Sequence, residues 1–237
     1  MAFWPQAILG RMEQRWRFDV EAGCNPCHWA SAFWHSLSVR WNKLLDIDLK
    51  FMPVVYFKRY KMQIDLEQAD LSFEPPQSEI QYFPWSDKMM GFHSLAKWES
   101  FRFEMDATVF PCLGNRDGCR QLMRDLTQRS NFVPEATWLA LSITNGVPDS
   151  PVGTIQGLQI DNQVGAIQNI GVVPVFRGKG IGKRLLILAL RGFRDTGCKR
   201  VNLEVTIHNL GAIRLYESIG FQTIETVFKV GNVPVSA

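Results

Sequence analysis

Residues 165–221 read GAIQNIGVVPVFRGKGIGKRLLILALRGFRDTGCKRVNLEVTIHNLGAIRLYESIGF, and the fold turns on how they are parsed. The apolar run Ala166–Val173 predicts a strand that ends at Pro174, which cannot donate to a sheet ladder. Arg177-Gly178-Lys179-Gly180-Ile181-Gly182 follows as a turn. Leu185, Leu186, Leu188, Ala189 and Leu190 then recur as the apolar side of a helix. Leu203-Glu204-Val205 reads as a second strand, and a second helix follows before Gly220-Phe221.

A glycine-rich turn that opens a helix is suited to holding phosphate. The first N–H groups of a helix lack intrahelical partners and lie at its positive end. Glycine admits a diphosphate close to the backbone, and Arg177, Lys179, Lys183 and Arg184 add positive charge. Spacing excludes two common nucleotide loops. The dinucleotide fingerprint needs glycine where Lys183 stands, and a Walker loop needs glycine at Arg177 and a hydroxyl residue at Arg184.

Val172 to Gly182 fit V-x-P-x-x-R-G-x-G-x-G at every fixed position, and this resembles the acyl-CoA loop of the GNAT superfamily of acetyl-CoA-dependent N-acetyltransferases. Asn209-x-x-Ala212-x-x-Leu215-Tyr216-x-x-x-Gly220-Phe221 is similar to the helix that follows in that family. The resemblance implies an α/β (α+β) GNAT fold, a central mixed and mostly antiparallel sheet flanked by helices. It implies acetyl-CoA as co-substrate and no metal. Gly171, Val172 and Val173 would pair with the pantetheine arm through backbone groups freed by a splayed strand, with an N–H near Val172 facing the thioester carbonyl. Arg177, Gly178, Lys179, Gly180, Ile181, Gly182 and Lys183 would hold the diphosphate, and Asn209 would order the site or cap the following helix. Tyr216 falls at the family's general-acid position, where a phenol of pKa near 10 suits a departing thiolate. The run from Leu203 to Phe221 also looks like the bacterial acetyltransferases of ribosomal-protein N-terminal alanine, which implies Glu204 as base. His208 competes for that role by its ordinary pKa alone.

Composition agrees with a globular protein: 46% of the 237 residues are apolar, enough to bury a core. A net charge of +3 with no lysine/arginine block gives no footprint for nucleic acid. Five cysteines, an odd number, argue against a disulfide framework and fit a reducing, cytoplasmic setting. No apolar run is long enough to span a bilayer, and the N-terminus lacks the basic region of a signal peptide.

The organisation reads as an N-terminal extension, 1–57, and a catalytic domain, 58–237. Trp29, Phe33, Leu37, Trp41, Leu44 and Leu45 recur at helical spacing, which predicts either an amphipathic helix over 28–46 docked on the main domain or a poorly ordered extension. With Arg40 and Lys43 its only basic residues, a membrane-surface role is disfavoured. Cys24-Asn25-Pro26-Cys27-His28 matches a haem-attachment pattern formally, but haem loading needs export, and zinc needs a second ligand pair.

Within the domain, strands are predicted over 58–66, 79–83, 137–143, 152–160 and 221–230, with helices from Ser86 to about Ser100 and from Arg116 to Arg129. The connector Phe101–Ala107 carries Glu104 and Asp106 on what the resemblance makes an acceptor wall, where carboxylates would hold a cationic substrate. The function expected is acetyl transfer to a primary amine, small molecule or peptide N-terminus, by direct attack. The alternative is a non-catalytic acyl-CoA-binding module. Motifs for CoA and chemistry are shared among many acceptors, so they name none.

Overall fold

In a computed structural model, residues 55–73 and 79–231 are described. The expected helix over 28–46, Cys24 to His28 and Pro75-Pro76 lie outside them. Seven strands run β1 (Val55–Asp65), β2 (Ile80–Pro84), β3 (Phe132–Thr144), β4 (Val147–Asp161), β5 (Val164–Val172), β6 (Arg200–Thr206) and β7 (Gln222–Gly231). The α-helices are α1 (Met90–Phe101), α2 (Met105–Val109), α3 (Arg116–Thr127), α4 (Ile181–Asp195) and α5 (Leu210–Glu217). The sheet order is β2-β3-β4-β5-β6-β1-β7. Every neighbouring pair is antiparallel except β5 with β6. This is the mixed, mostly antiparallel GNAT-like α/β arrangement expected.

Differences from the sequence reading are local. β1 begins three residues before Lys58. The helix expected from Ser86 starts as a 3-10 turn, Asp87–Met89, and the Ser86 side chain makes no cap. The connector after α1 contains a further short helix, α2, where only a loop was expected. Asn145 and Gly146, at φ 52° and 78°, make a two-residue hairpin turn, so β4 starts at Val147, ahead of the strand expected from 152. Asn115 caps α3 by accepting the Gly118 N–H at 2.6 Å.

Helices cover both faces of the sheet. α4 buries Leu185, Leu186, Ala189, Leu190 and Phe193 against β3, β4 and β5. Phe193 is closely socketed, because a Cβ at Gly157 or Gly165 would stand 2.6 Å or 2.5 Å from that ring. Two glycines on adjacent strands thus form the socket of one phenyl group. Phe193→Ala should lower unfolding free energy by roughly 3–5 kcal/mol, read as a fall in the denaturant midpoint.

On the other face, α1 lays a buried polar row across β4 and β5. His93 is fully buried with Nδ1 2.7 Å from Thr154 Oγ1, and Lys97 Nζ donates to Asn169 Oδ1 at 2.9 Å. Burial first, and the Lys97 charge second, lower the His93 pKa from 6.5 to about 3. A depressed histidine pKa makes the neutral form the folded form, so its stabilisation is complete above 6.5 and is lost as pH falls toward 3. Between pH 7.5 and pH 5 the protein should lose about 2 kcal/mol from this group. Urea titrations at both pH values check it, and His93→Gln should flatten the difference.

Candidate active site

The parallel pairing of β5 and β6 covers only Val164–Ala166 against Arg200–Asn202. Beyond Ala166 the strands diverge, while β5 stays paired with β4 as far as Val172 against Gly153. The Val173 N–H donates to Val152 O at 2.9 Å. Alternation along an antiparallel ladder therefore turns the Val172 N–H away from β4 and toward the opening. Of the three backbone positions expected to meet pantetheine, Val173 has its amide committed to β4. The Val172 carbonyl accepts from Arg177 Nε at 2.9 Å. Gly171 is required for packing, since a Cβ there would stand 2.7 Å from Ser100 Cβ.

The glycine loop ends at Gly180, the N-cap of α4, at φ 78°. Arg184 is the first residue whose N–H bonds back into the helix, to Gly180 O at 3.0 Å, so the amides of Ile181, Gly182 and Lys183 precede the ladder. Lys179 Nζ lies 5.2 Å from the Phe176 ring centroid and Lys183 Nζ 4.7 Å from that of Phe73. Both lysines thus sit over aromatic rings beside the loop. Arg177 is engaged elsewhere: its guanidinium also donates to Ser100 O at 3.0 Å and to Glu104 at 2.7 Å. It ties the end of β5 to the α1–α2 connector, and Glu104, expected on the acceptor wall, is its ion-pair partner.

A cleft of about 440 Å³ lies beside the end of β6. Glu104–Asp106 line one side, and Thr206 with His208–Gly211 the other. Asn209 both borders the cleft and caps α5, accepting the Ala212 N–H at 3.1 Å. Asp106 is held by Arg59 Nη1 at 2.8 Å and by Thr206 Oγ1 at 3.2 Å. Glu204 does not border the cleft. Its carboxylate stands 3.6 Å from Arg59 Nε and 3.8 Å from Lys229 Nζ.

Tyr216 is buried on α5, its ring 5.9 Å from that of Phe221. Burial, then the charge of Asp106, push its phenol well above the usual 10, with Arg59 opposing. Leu203 and Val205 join the core that holds Tyr216, so Glu204 points to the other face of the sheet.

Arg59 is the residue the sequence reading missed. It alternates with Lys61 and Gln63 on a polar strand face, which reads as solvated, and only the cover of α2 and the Phe110 ring, 5.3 Å from its guanidinium carbon, buries it. No pattern in β1 signals that cover.

A family model described as Acetyltransferase (GNAT) family matches residues 113–221. N-alpha-acetyltransferase 30 of Saccharomyces cerevisiae is 28% identical over 106 residues, covering 42% of this chain and 58% of that protein. A mycothiol acetyltransferase of Nocardiopsis dassonvillei is 41% identical over 109 residues, 43% of this chain and 33% of that one. The chain thus spans well under two thirds of either relative. Among solved structures, a GCN5-related N-acetyltransferase from Sphaerobacter thermophilus shares the fold, with TM-score 0.54 and 23% identity over 75% of this chain and 50% of that one. No α-helix among the described residues is long and apolar enough to cross a membrane.

Proposed function

We propose, on the match of residues 113–221 to the acetyltransferase (GNAT) family, that the chain transfers an acetyl group from acetyl-CoA to a primary amine. The observation that carries this reading is the divergence of β5 from β6 beyond Ala166, with the glycine loop following the end of β5 and the cleft lined by Thr206 at the end of β6. An extended pantetheine arm needs such a slot. At one end, amides and lysines meet a diphosphate; at the other, the Val172 N–H supplies an oxyanion donor.

The amine attacks the thioester carbon directly. Tyr216 donates to the departing sulfur; with its pKa raised by burial it stays protonated through the working range, so it acts first as a hydrogen-bond donor. Glu204 serves as base through an intervening water, because its carboxylate faces away from Tyr216 and outside the cleft lining. The curated relatives are named for different acceptors, an N-alpha amine and mycothiol, so the family does not choose between them.

The deciding experiment measures thiol release from acetyl-CoA against a panel of primary amines and N-terminal tripeptides, beside calorimetric CoA binding. Turnover with one acceptor class is expected. CoA binding with no turnover would leave a non-catalytic binding module, and no CoA binding would remove both readings.

A further inference from the structure

Asp106 and Arg59 form the best-defined polar pair in the cleft wall. Both hydrogen bonds to the Asp106 carboxylate fall on Oδ1, from Arg59 Nη1 at 2.8 Å and Thr206 Oγ1 at 3.2 Å. Oδ2 carries none of these bonds, and the residue borders the cleft with 18% of its side chain exposed. Arg59 is 6% exposed, and besides Asp106 it donates to Thr206 Oγ1 at 2.7 Å and to the Glu204 carbonyl at 3.1 Å. A carboxylate fixed through one oxygen presents the other at a defined place, and long side chains with several anchors do not wander.

We propose that Asp106 Oδ2 is the hydrogen-bond acceptor for the incoming amine, and that Arg59 is the positioning residue which holds it there charge-balanced, so that the cleft takes its acceptor as a neutral amine. This rests on the acetyltransferase reading and extends it to the amine subsite. The charges facing Asp106 argue for neutrality. Arg59 comes from β1, Glu204 from β6 and Lys229 from β7; His208 borders the same cleft, the buried Tyr216 on α5 feels the charges of Asp106 and Arg59, and Glu104 on the connector is paired with Arg177. Two cations offset two carboxylates around Arg59, so an arriving ammonium would find no excess negative charge, whereas an uncharged amine finds an acceptor for its N–H. Attack on a thioester requires that uncharged form. A lone carboxylate would instead stabilise the ammonium and withhold the nucleophile.

The test uses whichever amine of the thiol-release panel turns over fastest, with kcat and KM measured from pH 6 to 10 and CoA affinity by calorimetry. Asp106→Asn should raise the acceptor KM about tenfold to thirtyfold with kcat within about threefold and CoA affinity unchanged. Arg59→Gln leaves the carboxylate unbalanced, so the pH at half-maximal kcat/KM should move up by about one unit. A purely structural role would not move that profile. Arg59→Lys, which keeps the charge but not the fork, should restore the wild-type midpoint while KM stays raised. Should Arg59→Gln lose CoA binding through misfolding, the Asn and Lys variants decide alone. An Asp106→Asn KM within twofold of wild type, or an unshifted Arg59→Gln profile in a protein that still binds CoA, overturns the proposal while leaving acetyl transfer intact. A wild-type protein with no turnover on the panel overturns both.

Discussion

Tyr216→Phe is expected to lower kcat by roughly tenfold to a thousandfold while leaving CoA affinity within about twofold. The substitution is clean because the ring and the hydroxyl serve separate ends. The ring packs against Phe221, at 5.9 Å between centroids, and phenylalanine keeps that contact. The hydroxyl has no hydrogen-bond partner among the described residues, so its removal orphans no buried group, and the fold should keep its stability to within about 0.5 kcal/mol. What disappears is a donor to the departing sulfur. The raised pKa adds a check on the wild type: the donor form persists to higher pH than an ordinary phenol, so no falling limb from Tyr216 should appear in kcat below pH 10. Turnover unchanged in the phenylalanine variant would reject the role of Tyr216 as acid, and lost CoA binding would mean that the hydroxyl serves cofactor binding rather than proton donation.

Much of this fold is written in local patterns. The run from Gly165 to Phe221 combines a period-two strand, a glycine turn and a period-3.6 helix. The observed β5, α4, β6 and α5 fall close to where those periods place them. Asn209 was legible because a motif fixes its spacing, and it caps α5. What the sequence concealed is tertiary. Arg177 sits in the loop motif and reads as a phosphate ligand, yet its guanidinium is consumed by Val172, Ser100 and Glu104, a connection across 73 residues that no local pattern encodes. Glu104 and Asp106 look equivalent in sequence, two carboxylates two residues apart. The structure separates them, giving Glu104 to Arg177 near the surface and Asp106 to the buried Arg59. His93 and Lys97 were invisible for the same reason. An α1 turn that carries both looks solvated until β4 and β5 supply Thr154 and Asn169 beneath it.

Gly180→Val should weaken CoA binding by about a hundredfold, and two physical causes combine in it. The backbone at Gly180 has φ 78°, a region that a β-branched residue enters only with strain of roughly 1–2 kcal/mol. The residue is also the N-cap of α4, so relaxing that strain tilts the amides of Ile181, Gly182 and Lys183 away from a common anion. Space alone would not do this, since the nearest atom to an added Cβ is Phe73 Cζ at 3.6 Å, an ordinary contact. The protein should therefore still fold, with a thermal midpoint lowered by only a few degrees, while the diphosphate loses both its close approach and its aligned donors. Gly180→Ala should fall between glycine and valine, because the backbone penalty remains while the added bulk is one methyl. The comparison that matters is CoA against dephosphorylated pantetheine. If the loop grips the diphosphate, valine removes CoA's advantage and leaves the weaker pantetheine binding nearly untouched. Equal losses for both ligands would place the damage in the β5–β6 slot instead, and normal CoA affinity in the valine variant would refute the loop assignment altogether.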